Sequence, residues 1–205
     1  AMVYDDIIRV ADLKTRSGRA ARVRREVGLG EGQTLATTEY FHPRMAEICG
    51  LLPARLGTAI EARPRLMAAL DRIVDRGRRV RTDGVVGFGT LWLIAGLRKW
   101  RRGLLRHRVE AAHMAEWLEL ARSHRDGDYS LGVEIVKCRR LIKGYSDTHV
   151  RGLSKFDRVL GCLPLLHGRD DAADWVRRLR EAALAEGTAL DGAIRTIRSF
   201  TNEAA

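Results

Sequence analysis

The sequence predicts an all-α fold: a single compact domain of about eight to ten helices, with at most a short β-hairpin. Three observations predict it. Apolar residues recur at three- and four-residue spacing through most of the chain, the period of a helix with one buried face. Four prolines and 6% aromatics are too few for a Pro-rich linker array or a β-sandwich. Glycines and Asp, Ser or Thr residues fall where helices would stop and start. At 205 residues, 45% hydrophobic and 31% charged, the chain is long enough and apolar enough to bury a core.

The elements follow in order. Tyr4 to Lys14 reads as a helix, with Ile7, Val10, Ala11 and Lys14 on one face and Asp5 and Asp6 in its first turns, where the helix dipole favours negative charge. The pattern continues through Ala20, Val23 and Val27 with a break at Gly18, and Gly28-Leu29-Gly30-Glu31-Gly32 ends it. That glycine triplet follows a helix rather than a strand, which excludes a dinucleotide loop. Gln33 to Phe41, rich in Thr and aromatics, is the one extended segment expected in the first half. Pro43, Pro53 and Pro64 each open a helix, running to Cys49, Ala62 and Gly77. Arg78 to Asp83 has the alternation of a short strand. Val85 to Trp100 is apolar nearly all round, the pattern of a buried central helix, and Gly87, Gly89 and Gly96 would admit a close neighbour.

Leu104 to Arg122 is the next helix. Asp128 or Ser130 caps another through Lys143, and Asp147 or Thr148 caps one from His149 to Leu163. Asp170 or Asp171 opens a helix with Ala172, Trp175, Val176, Leu179 and Ala183 inward, and Leu190 to Phe200 forms the last. Trp92, Trp117 and Trp175 stand at helical core positions; Trp100 is the exception, lying inside the basic run where it could form a cation–π contact.

Several classes of function are excluded. The longest apolar run, Val85 to Leu97, contains three glycines and a threonine and falls well short of the roughly 20 residues of a membrane span. No basic n-region marks a signal peptide, and Cys49, Cys138 and Cys162 are too scattered for a disulfide framework or a cluster motif. A cytoplasmic setting is expected. No P-loop, nucleophile elbow, HExxH motif or metal-ligand histidine spacing occurs, so no catalytic or metal-binding residue is expected.

Two regions stand out. The net charge is +11, and from Arg72 to Arg108 eleven basic residues face only Asp75 and Asp83, so this stretch alone carries +9. Such a field draws an anionic partner, and the docking candidates are Arg78, Arg79, Arg98, Lys99, Trp100, Arg101, Arg102 and Arg106. The same arginines would also serve as a solvated helix surface. The second region is the interhelical loop from Lys143 to Arg151. There Lys143, Tyr145, Ser146, His149 and Arg151 surround a helix start that could receive an anion, or simply form a capped turn.

Three stretches carry a resemblance: Tyr4-Asp5-Asp6-Ile7-Ile8-Arg9-Val10-Ala11-Asp12-Leu13-Lys14-Thr15-Arg16; Glu39-Tyr40-Phe41-His42-Pro43 with Cys49-Gly50-Leu51-Leu52-Pro53; and Arg140-Leu141-Ile142-Lys143-Gly144-Tyr145-Ser146-Asp147-Thr148-His149-Val150-Arg151-Gly152-Leu153. From Tyr4 to about Leu160 the chain resembles the helical C-terminal region of bacterial indolepyruvate ferredoxin oxidoreductases, on the chain that carries the gamma-type 2-oxoacid oxidoreductase domain. The resemblance implies a parent enzyme that oxidatively decarboxylates aryl pyruvates to acyl-CoA with thiamine diphosphate, Mg and iron–sulfur clusters, and passes electrons to ferredoxin. It implies no cofactor in this segment, which has neither clustered cysteines nor the acidic-Gly motif of the diphosphate-bound metal.

Met2-Val3 already lies in helical register, so a piece of a longer chain with Ala1 as a cloning scar is expected. The expected function is that of a non-catalytic accessory domain that assembles the other domains or subunits of the oxidoreductase or docks an acidic partner such as ferredoxin. The alternatives are a nucleic-acid-binding helical module, which lacks a helix-turn-helix signature, and a CoA- or carboxylate-binding site at Lys143–Arg151.

Overall fold

The computed structural model describes residues 6–30, 32–41, 44–74, 78–143, 146–185 and 187–202. It is helical, with two short strands, and is built of two compact units, residues 1–111 and 112–205.

In the first unit, α1 (Ile7–Thr15) begins at Asp6, whose Oδ1 accepts the Arg9 backbone N–H at 2.8 Å and so satisfies one of the donors a helix start leaves open. Arg16 adopts an extended backbone, and α2 (Gly18–Glu26) follows. The break therefore lies at Arg16 and Ser17, just ahead of Gly18, which is the first residue of a new helix. The described residues hold eleven α-helices, the multi-helix all-α class expected. Gly28, at φ +67°, closes α2.

Strand β1 (Thr38–Phe41) pairs antiparallel with β2 (Arg78–Arg81), in the register Thr38↔Arg81 to Phe41↔Arg78. Both extended segments were legible in the sequence, but the pair is not a hairpin: three helices intervene, α3 (Met45–Gly50), α4 (Ala54–Glu61) and α5 (Pro64–Val74). Pro53 precedes α4 and Pro64 opens α5, as expected; Pro43 lies outside the described residues. The Met45 backbone N–H at the start of α3 is capped from α5, by Asp71 Oδ1 at 2.8 Å. Met45, Cys49 and Leu105 form a small core, flanked by Ile48, Ile60, Met67 and Leu70.

Helix α6 (Val85–Gly96) packs on α1, where Leu91 is buried together with Ile8 and Ala11. Gly87 is required there. A Cβ at this position would lie 2.0 Å from the Arg81 carbonyl oxygen at the end of β2, closer than any side chain permits. Two 3₁₀ turns, Leu97–Lys99 and Arg101–Gly103, lead into α7 (Leu105–Ser123), which carries residues of both units.

The second unit holds α8 (Tyr129–Lys137), α9 (Ser146–Leu160), α10 (Ala172–Leu184) and α11 (Ala189–Asn202). Asp128 caps α8, its Oδ1 accepting from Leu131 N at 2.9 Å. The helix expected to run to Lys143 gives way to a 3₁₀ turn at Cys138–Leu141. Against this turn α9 lies so close that a Cβ on Gly152 would come within 2.6 Å of the Leu141 carbonyl. The core is far larger than that of the first unit: Trp117, Ile135, Phe156, Val159, Val176, Leu179 and Ile197 are among its buried members, with α10 packed on α8, α9 and α11. The buried Trp117 Nε1–H is satisfied by the Ile135 carbonyl at 2.9 Å. No helix of the described residues is long and apolar enough to cross a membrane.

Candidate functional site

The loop from Lys143 to Arg151 is divided by the start of α9. Gly144 and Tyr145 lie outside the described residues, as does the side chain of Ser146. Lys143 and Arg151 are exposed, whereas His149 is 5% exposed. His149 and Gly152 stand one turn apart on the side of α9 that seats against the 3₁₀ turn, and Arg151 projects from another side. The cations of this segment thus stay at the surface while the imidazole is packed inward.

The basic stretch is partly neutralised within its own unit. Arg101 Nε donates to Asp6 Oδ2 at 2.8 Å, Arg98 reaches Asp12 at 3.4 Å, and Arg106 pairs with the buried Glu110 at 2.7 Å. Asp12 is held below the usual carboxylate range, first by the hydrogen bond from Arg16, then by the charge of Arg16 and, after it, that of Arg98. Arg79 lies over the Tyr40 ring, 4.9 Å from its centroid, across the strand pair. Arg78 sits on β2 opposite Phe41, and its side chain lies outside the described residues. Lys99 and Arg102 are exposed and make no ion pair among the described residues, and Trp100 is 65% exposed beside them. Of the eight docking candidates, the structure therefore ties Arg98, Arg101 and Arg106 to carboxylates and leaves Lys99, Trp100 and Arg102 facing outward.

Helix α6 corrects an expectation. Its apolar surround predicted a buried central helix, yet only the side facing α1 is covered. Val85 is 92% exposed, Val86 83%, Leu93 67% and Trp92 63%, so Trp92 is not a core residue either. The glycines divide accordingly: Gly87 meets the end of β2, while an added Cβ at Gly89 or Gly96 would meet nothing within 4 Å. Asp83, Gly84, Val85, Phe88, Gly89 and Trp92 line an open hollow of about 420 Å³. Asp83 is held ionised by Arg81, whose guanidinium bonds it at 2.7 Å. A single unit that leaves this much apolar surface uncovered has the features of an interaction face. The signal in the sequence was the helix that is apolar all round without a polar face; an apolar surround marks a helix that must be covered, but not what covers it.

None of the three thiols is at the surface. Cys49, Cys138 and Cys162 are buried, and burial pushes each thiol up, that of Cys138 to about 12. In the second unit Glu134 lies between Arg180, at 3.0 Å, and Lys137, at 2.6 Å. Burial raises its carboxyl, but the two hydrogen bonds outweigh burial and hold it below the ordinary value. Among the described residues no group of three or more His, Cys, Asp or Glu could hold a metal ion.

No curated protein and no solved structure matches the chain. Residues 1–161 match DUF6537, a family of unknown function, and the chain belongs to that family.

Proposed function

We propose that this chain is a non-catalytic helical accessory module of an indolepyruvate-type 2-oxoacid:ferredoxin oxidoreductase, working in the cytoplasm, where it assembles subunits or docks an acidic partner such as ferredoxin. One observation supports the docking role above others: Lys99 and Arg102 stand exposed, with no ion pair among the described residues, next to the exposed indole of Trp100. Exposed cations beside exposed apolar surface suit an acidic protein surface, whose charge would steer encounter and whose apolar residues would hold it. The three resembling stretches supply the class of parent enzyme.

The described residues do not fit the parent's iron–sulfur clusters, because Cys49, Cys138 and Cys162 do not come together and no group of three or more His, Cys, Asp or Glu among these residues could hold a metal. Thiamine diphosphate, Mg and the clusters are assigned to other segments of the parent complex. Nucleic-acid binding remains the rival class, but the pairing of Arg98, Arg101 and Arg106 with carboxylates weakens the field it would use.

The test is retention of ferredoxin and of the catalytic subunits on the immobilised chain at low salt, comparing wild type with Lys99→Glu/Arg102→Glu. Retention by wild type and its loss in the double variant is the expected result. Retention that survives the double variant, a gel shift of nucleic acid in place of protein capture, or turnover of a 2-oxoacid by the isolated chain would overturn the reading.

A further inference from the structure

We infer that the outward face of α6 is a seat for an acidic amphipathic helix of a partner protein. This inference rests on the docking role proposed above but not on the oxidoreductase parentage. Val85, Phe88, Gly89 and Trp92 stand at i, i+3, i+4 and i+7, the four corners of the hole that receives one side chain in knobs-into-holes packing, and they line the hollow. Gly89 forms its open floor, with nothing within 4 Å of where a Cβ would be. One turn on, Gly89, Trp92, Leu93 and Gly96 repeat the arrangement, and Gly96 is equally open. The line Val85–Gly89–Trp92–Gly96 has the alternating four- and three-residue steps of a coiled-coil seam, which fixes the occupant as another helix with apolar residues at the same period.

Charge selects the kind of helix. Lys99 and Arg102 stand exposed just past the C-terminal end of the seam, and at its other end Asp83 is already neutralised by Arg81. The chain as a whole carries +11. Two copies of α6 laid parallel would bring these cation-rich ends over one another, and laid antiparallel would set them against Asp83, whose charge Arg81 already takes, so neither arrangement of self-pairing supplies the cations with a carboxylate. A lipid surface would satisfy exposed tryptophans and cations, but it presents no side chain at helical spacing to fill a hole between successive turns. A helix with carboxylates flanking its apolar stripe, and more of them at the end that meets Lys99 and Arg102, complements both features.

The test uses the full chain with three probes: a synthetic helical peptide about three heptads long with a leucine seam and glutamate flanks, the same peptide with lysine flanks, and vesicles of mixed phosphatidylcholine and phosphatidylglycerol. Tryptophan emission reports binding, with Trp92→Phe assigning the signal. The glutamate peptide is expected to bind with a blue shift that weakens in Trp92→Phe, and the lysine peptide not to bind. Gly89→Leu fills the hole and lowers affinity at least about tenfold, while circular dichroism shows the fold intact because the new side chain enters open space. Lys99→Glu/Arg102→Glu lowers affinity and flattens its dependence on salt.

Equal binding of both peptides, binding of vesicles without binding of the glutamate peptide, or a dimer that Gly89→Leu dissolves would each overturn the inference. The two readings fail separately. Ferredoxin retained equally by wild type and Gly89→Leu removes the helix seat alone. Glutamate-peptide binding without retention of ferredoxin or a catalytic subunit removes the oxidoreductase reading alone.

Discussion

Arg101 Nε donates to Asp6 Oδ2 at 2.8 Å, tying the turn after α6 to the cap of the first helix across 95 positions of sequence. Asp6 is 6% exposed, and its other oxygen holds the Arg9 amide. Removal of the guanidinium leaves a buried carboxylate with one partner fewer, so Arg101→Ala is expected to cost about 2 to 4 kcal/mol in urea unfolding. Lys99→Ala, at an exposed site, is expected to change stability by no more than about 0.5 kcal/mol. Equal effects from the two would show that Arg101 is not part of the scaffold. This contrast also decides which arginines belong in a charge-reversal experiment: reversing Arg101 or Arg106 would disturb the fold together with any docking.

The glycines of α6 respond in opposite senses. Gly87→Ala forces a methyl against the Arg81 carbonyl and is expected to destabilise by about 2 to 3 kcal/mol. Gly89→Ala meets nothing and is expected to stabilise by up to about 1 kcal/mol, since alanine is the better helix former. Thermal melts followed by circular dichroism separate them. A gain at Gly87 would contradict the close approach of β2.

Stability of the second unit should fall in acid through Glu134. Its folded-state carboxyl lies below the ordinary value of 4.5, so its contribution is complete above that pH and is lost as pH falls through the folded-state value. Glu134→Gln is expected to lower stability near neutrality by about 3 kcal/mol, because Arg180 then lies buried without its carboxylate. It should also flatten the loss seen on acidification. Urea midpoints measured from about pH 3 to pH 7 test this, and an unchanged acid limb in the variant would refute the assignment.

The thiols should be silent in the folded protein. Burial holds Cys138 at about 12, and Cys49 and Cys162 are also buried and raised. A chromogenic disulfide reagent at mildly alkaline pH is expected to label none of the three in native conditions and all three in urea. Rapid native labelling of any one would identify a reactive cysteine that this structure does not contain.

Most helices were legible because their signals are local. Asp128 ahead of a periodic apolar run predicts the cap that is found, and Pro53 and Pro64 mark the starts of α4 and α5. The sequence is silent where a distant partner decides. The cap of α3 comes from Asp71 on α5, and the two strands meet across three helices. The candidate site shows the same division. Lys99, Trp100 and Arg102 were readable as surface cations and an aromatic. That Arg98, Arg101 and Arg106 are spoken for was not, because Asp12 and Asp6 lie at the far end of the unit's sequence and Glu110 is buried only by tertiary packing.

The sequence by itself determined the helical class, the approximate helix bounds and the concentration of positive charge, since side-chain periodicity, capping residues and charge counts depend only on near neighbours along the chain. Tertiary structure alone decided that α6 covers one face against α1 and exposes the other, and that the arginine-dense stretch retains only part of its charge for a partner. Burial and ion pairing depend on which distant residues come to lie within a few ångströms, and no local pattern carries that information.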